Sequence, residues 1–181
     1  MMYILKFMPR QTFLQSAWDS AASAPNPFIL LLHVNDSTDD QVLFQAACKQ
    51  ARVPVNWHVT DSSEKAISYL RTLVEQSKQV DVHWPDLVLL DIVMPGGSGF
   101  DVLKYVRATP ELHDIPVIIF TGHCNPNFKS EALRLGANWF LLKPHVFDRT
   151  VDIVKAIYAF CSQGQVSEIP AQQQTGSGPA V

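Results

Sequence analysis

The chain has 181 residues, 47% hydrophobic and 17% charged, enough apolar material for one packed domain and too much for a disordered polymer. Fourteen basic residues against seventeen acidic ones give a formal charge of −3, which offers no electrostatic footprint for nucleic acid. Cys48, Cys124 and Cys161 are odd in number and far apart, which excludes a disulfide framework or CxxC site and fits a reducing cytoplasm.

Residues 1–27 read as a flexible extension with a short helix around Thr12 to Ala22. Ala22-Ser23-Ala24 has the small-x-small spacing of a cleavage site. Lys6, Pro9 and Arg10 interrupt the apolar stretch that a signal sequence needs, so secretion is not expected. No apolar run approaches the roughly 18–20 residues of a membrane span, so no membrane contact is expected.

From Pro27 the pattern changes. Phe28 to Val34 is almost wholly apolar, as in a strand buried on both faces of a parallel sheet. Ser37 to Asp40 supplies helix N-cap residues, and Leu43, Ala47 and Ala51 repeat behind them at helical spacing. Val53 to Val59 reads as a second strand, and Asp61-Ser62-Ser63-Glu64 opens a second helix. Asp86 to Asp91 is a third strand, the stretch Met94 to Gly99 is a turn, and Phe100 to Ala108 is a helix. Pro116 to Thr121 makes a fourth strand, and a helix over Asn127 to Leu135 stops at Gly136 as a C′ glycine. Asn138 to Leu142 is a fifth strand, followed by a helix carrying Val151, Val154, Tyr158 and Cys161 on one side. Gly, Pro, Gln and Ser dominate residues 164–181, which read as a disordered tail.

Five alternations of strand and helix predict an open, doubly wound parallel sheet with helices on both faces. Ligands of such sheets bind beyond the carboxyl ends of the strands. Those ends carry Asn35-Asp36, Asp91, Thr121-Gly122 and Lys143. Singly, each has a plainer reading as a turn, a β former or a solvated lysine. Together they place two carboxylates, a hydroxyl and an ammonium at one rim. Two close carboxylates repel, and a hard cation such as Mg2+ relieves that repulsion through oxygen ligation. With the lysine and threonine added, the set can hold a tetrahedral phosphoryl group against one carboxylate.

These stretches resemble the response regulator receiver domain of two-component signalling. The resemblance rests on Leu31 to Ser37, Leu87 to Phe100, Val117 to Gly122 and Gly136 to Pro144, and it covers nearly everything outside the two tails. It implies a flavodoxin-like fold with strand order 2-1-3-4-5. It makes Asp91 the phosphoacceptor, Asp36 a direct metal ligand and the Val93 backbone carbonyl a further donor. Thr121 and Phe140 correspond to the switch pair, Lys143 to the ion-pairing lysine and Gly122 to a small residue that admits the phosphodonor. Val93 and His123, each two residues after a site residue, flank the path of an attacking water. The chemistry implied is Mg2+-dependent self-phosphorylation and autodephosphorylation, not turnover.

One position departs from the family. Asn35 stands where an acidic residue is usual, which removes a negative charge and is expected to weaken Mg2+ binding. Asn35 could still ligate through its carbonyl oxygen or through a bound water. The sequence thus reads as a single-domain response regulator, phosphorylated by a histidine kinase or phosphotransfer protein and signalling through a protein target. Self-association is compatible with it. The competing reading is a phosphorylation-independent interaction module, and a flavodoxin-like redox protein or an aspartyl phosphatase fits the residues less well. His33, in the first strand, reads as a core residue. Trp139 is either a surface anchor for a partner or a half-buried packing residue.

Overall fold

The computed structural model describes residues 28–163, so the expectations for residues 1–27 and 164–181 lie outside the described residues. The elements in order are β1 (Ile29–Val34), α1 (Thr38–Ala51), β2 (Val55–Thr60), α2 (Ser63–Gln76) and β3 (Leu87–Leu90). A short hairpin, β4 (Val93–Met94) and β5 (Gly97–Ser98), leads into α3 (Gly99–Ala108). Then come β6 (Val117–Thr121), α4 (Pro126–Arg134), β7 (Trp139–Leu142) and α5 (Phe147–Gln163).

The main sheet is parallel throughout, in the order β2-β1-β3-β6-β7. Counting only its five strands, this is the expected 2-1-3-4-5 order, and the first crossover reverses direction at β1. Alternation along the strands divides the core. Leu32, Val34, Val88, Leu90, Val117 and Ile119 pack with α2, α3 and α4 on one face. Leu31, Leu87, Leu89, Ile118 and Phe120 pack with α1 and α5 on the other. Strands buried on both faces explain why the sequence shows continuous apolar runs there.

Caps fix the helix starts that lie near the strand ends. Ser37 accepts from the Asp40 amide at 3.2 Å, and Ser98 with Asp101 forms a reciprocal capping box on α3. Gly136 has φ +90 and ends α4 as the sequence predicts.

Two local expectations change. Leu43 is 43% exposed, and Phe44, Ala47 and Cys48 form the inward stripe of α1. The large ring fills the space beside His33, Trp57 and Phe120, which leaves Leu43 on the rim. The Met94 to Gly99 turn also contains a paired hairpin, Val93 opposite Ser98. Pro95-Gly96 closes it, with Gly96 at φ +76 where a type II turn needs a positive angle. No helix among the described residues is long and apolar enough to cross a membrane.

At the amino ends of the strands one side chain joins three segments. Arg107 donates to the carbonyls of His113 and Ile115 at 2.9 Å, to the Gly136 carbonyl at 2.8 Å and to Asn138 Oδ1 at 3.0 Å. Asn138 Oδ1 also accepts from the Val117 amide at 2.8 Å, which ties the starts of β6 and β7 together.

Candidate functional site

The carboxyl rim begins with two neighbouring ladders. The Asn35 amide donates to Thr60 O and the Asp91 amide to Val34 O, both at 2.9 Å, so pairing runs one residue past β1 and β3. Val34 lies opposite Leu90, which puts Asn35 and Asp91 side by side on adjacent strands. Neighbouring strands lie about 4.8 Å apart, so charge on one side chain is felt by the other.

Asn35 is 1% exposed. Its Oδ1 accepts from the Ser37 amide at 2.9 Å, which fixes the orientation of the side-chain amide. Its Nδ2 is buried without a protein partner. The amide therefore spends its oxygen on the α1 cap and keeps an N–H donor in reserve. Asp36, the next residue, is exposed.

Asp91 is 6% exposed, with Oδ1 accepting from the Ile92 amide at 2.7 Å and Oδ2 from the ammonium of Lys143. The same ammonium donates to Asp40 Oδ2 at 2.7 Å. The backbone of Asp91 is crowded from below. A methyl group on Gly99 would lie 2.1 Å from the Asp91 carbonyl oxygen, so the first residue of α3 must be glycine for the helix to approach this closely.

Thr121 is fully buried at the end of β6. Its carbonyl accepts from the Lys143 amide at 2.8 Å, and its Oγ1 accepts from the His123 amide at 3.3 Å. Phe140 lies opposite Ile119 in β7 and packs on the α2–α4 face of the sheet, the face to which Thr121 belongs by alternation. Gly122 and His123 are exposed, and a Cβ on Gly122 would meet no protein atom within 4 Å. Val93, two residues after Asp91, is exposed.

His33 lies on the α1–α5 face with its ring centroid 5.4 Å from Phe44 and 6.3 Å from Trp57. It is 2% exposed and Nδ1 has no partner. Burial first, then the positive charge of Lys143, lowers its pKa to about 4, so the ring is neutral at physiological pH. Trp139 takes the half-buried alternative, with its ring edge-on to Phe160 at 4.3 Å. The three cysteines are free, and burial raises Cys48 and Cys161 to about 12.

The structure brings Asp91 and Lys143 into contact and sets Asn35 beside them, while Thr121 keeps its hydroxyl on its own loop. Asp40 was not singled out from the sequence, where it reads as a cap. No sequence signal marks it, since a helical repeat through Leu43 and Ala47 turns Asp39 inward, whereas the structure buries Phe44 and so brings Asp40, one turn before it, to the inner face of α1. Among the described residues no three His, Cys, Asp or Glu side chains are grouped to hold a metal. The donors that the family resemblance assigns, the carboxylates of Asp36 and Asp91 and the carbonyl of Val93, are all hard oxygens. Such a set suits a cation that keeps several waters.

A family model described as the response regulator receiver domain matches residues 32–155. The chain belongs to this family. Among curated relatives, the two-component response regulator ORR3 of Oryza sativa subsp. japonica is 30% identical over 125 residues, 69% of this chain and 87% of that protein. The phosphate regulon transcriptional regulatory protein PhoB of Escherichia coli (strain K12) is 32% identical over 101 residues. That match takes in 56% of this chain and 44% of PhoB, so the receiver spans less than half of that relative.

Solved receivers share the architecture. The phosphorylated cyanobacterial phytochrome response regulator RcpA is 27% identical with a TM-score of 0.65, covering 76% of this chain and 96% of its own. The Mn2+-bound form of response regulator Rcp1 is 26% identical with a TM-score of 0.62, covering 73% of this chain and 93% of its own. Receiver domains bind a divalent metal and interact with histidine kinases or phosphotransfer proteins. The receiver domain described here therefore belongs to two-component signalling.

Proposed function

We propose that this receiver takes a phosphoryl group from a histidine kinase or phosphotransfer protein onto Asp91 and signals through a phosphorylation-dependent protein interaction in the cytoplasm. The observation that carries this reading is the Lys143–Asp91 ion pair at the rim where the strand order reverses. A carboxylate oxygen of Asp91 displaces the imidazole of a phosphohistidine in line. The P–N bond breaks, the P–O bond forms, and the departing ring takes up a proton. Lys143 neutralises charge on the transferred group, and positioning with charge neutralisation is most of what phosphoryl transfer needs.

The residues suited to hold Mg2+ are Asp36, Asp91 and the Val93 carbonyl, and the ion would supply further charge neutralisation. Asn35 has its oxygen bonded to Ser37 and adds no charge, which supports weak metal binding. In the phosphorylated state Thr121 would donate its hydroxyl to a phosphoryl oxygen, since that hydroxyl's proton is not used by the His123 amide. Phe140 packs on the same face and would follow it, changing the surface offered by α4, β7 and α5. Gly122 leaves open space for the donor. Residues 28–163 act as the switch, with output through this surface.

Incubation of the full chain with Mg2+ and acetyl phosphate, followed by intact mass, tests the reading. One added phosphoryl group that is lost in Asp91→Asn is the expected result. An unmodified wild-type mass under both Mg2+ and Mn2+ would favour the phosphorylation-independent module, for which Asn35 is the supporting residue.

A further inference from the structure

We infer that Asp40 is a positioning residue for phosphoryl transfer: it holds the Lys143 ammonium from the α1 side while Asp91 holds it from the β3 side. This rests on Asp91 being the phosphoacceptor, and it adds a residue that the family resemblance does not assign.

A lysine ammonium is a compact charge on a flexible stem, with three donors that can rotate freely. Lys143 leaves the end of β7, whereas Asp91 stands at the end of β3, two strands away in the sheet. A single partner would fix the distance of the ammonium from Asp91 and leave its direction free. Asp40 Oδ2, at 2.7 Å, supplies the second point of attachment. Lys143 retains 15% side-chain exposure and Asp40 38%, so Lys143 is largely enclosed and Asp40 forms the outer wall.

The geometry of Asp40 follows from α1. Ser37 caps the helix through the Asp40 amide at 3.2 Å, and Phe44, one turn on, is anchored against Phe120. Both ends of that turn are thereby fixed, and the carboxylate of Asp40 is aimed at the rim. Asp39 carries the same charge in the same first turn but is exposed, with no ion pair to Lys143. When a phosphoryl group takes the place of the bare Asp91 carboxylate, a lysine held by Asp40 meets the incoming charge already oriented. A free lysine would have to find it. Orientation of this kind affects the limiting rate and not the binding of the donor.

The contrast between two neighbouring aspartates provides the test. Phosphorylation of the full chain by acetyl phosphate is followed at saturating Mg2+, giving the limiting rate and the half-saturating donor concentration separately. Asp40→Asn should lower the limiting rate about tenfold with little change in half-saturation. Asp40→Glu should recover part of it, and Asp39→Asn should match wild type. In parallel, the side-chain NH3+ resonance of Lys143 should be visible in wild type and Asp39→Asn and broadened away in Asp40→Asn. Equal rates for Asp40→Asn and wild type, or an equal drop in Asp39→Asn, would overturn the inference. If Asp40→Asn melts below the assay temperature, Asp40→Ser takes its place with the same outcomes. A wild type that accepts no phosphoryl group would instead overturn the role of Asp91, so the two failures are distinguishable.

Discussion

The ammonium of Lys143 pairs with the carboxylate of Asp91, tying the ends of β7 and β3 across β6, the strand that separates them. Lys143→Met should therefore slow acceptance of a phosphoryl group by about a hundredfold, the order expected when one preorganised charge is removed. Lys143→Arg should not restore the rate, because a planar fork cannot replace a point charge between two carboxylates. Timed intact-mass measurements with acetyl phosphate distinguish these outcomes.

The proposed weak metal binding rests on Asn35. Replacing it with aspartate puts a carboxylate beside Asp91, on a side chain that is almost wholly buried. Without metal the two charges repel, and Asn35→Asp should melt at a lower temperature than wild type. With Mg2+ the order should reverse, and the dissociation constant should fall about tenfold. Equal dissociation constants by calorimetry would refute the electrostatic role.

A slow loss of the phosphoryl group is the expectation attached to Val93. Its side chain is 44% exposed and apolar, so it cannot orient a water for attack on phosphorus. Val93→Asn should shorten the phosphoryl half-life several-fold at no cost in stability. An unchanged decay rate, read from mass spectra after donor removal, would count against it.

His33 makes stability depend on pH. The unfolded imidazole takes a proton near its ordinary 6.5, whereas the folded ring resists until about 4. The unfolded state binds more protons between those values, so native stability declines as pH drops through that window. The loss amounts to about 3 kcal/mol once pH is below the folded value. Melting temperatures of His33→Leu should show a shallower slope from pH 6.5 to 4. An identical slope would remove His33 from the account.

Arg107 works at the opposite rim. Losing a half-buried guanidinium that serves four acceptors should cost about 2–4 kcal/mol in Arg107→Ala. Arg107→Lys should recover little, since an ammonium cannot reach the Gly136, His113, Ile115 and Asn138 oxygens together. Phosphorylation at Asp91 should stay normal in either variant below its melting point. Chemical denaturation beside the mass assay separates the two effects.

The sheet was legible because its strands are buried on both faces, so Ile29 to Val34 and Leu87 to Leu90 announce themselves as unbroken apolar runs. Gly136 was equally plain, and the cap of α1 was narrowed to Ser37 through Asp40, since their chemistry is local. What was hidden depended on distance. Nothing adjacent to Asp40 in sequence says that an ammonium will arrive from β7, and Asp39 beside it looks the same. The inward placement of Phe44 over Leu43 was decided by ring space against Trp57 and Phe120, which only packing reveals. The side-chain orientation of Asn35 likewise waits on the Ser37 amide.

Gly99 is the point where helix α3 meets the end of β3. With no side chain between them, helix α3 leans directly on the peptide that carries Asp91, like a beam resting on a bearing. A sideways push on that helix is delivered to the acceptor's own main chain without any cushioning, and even alanine there would jam the joint. Saturation mutagenesis of this one position should return a single tolerated amino acid.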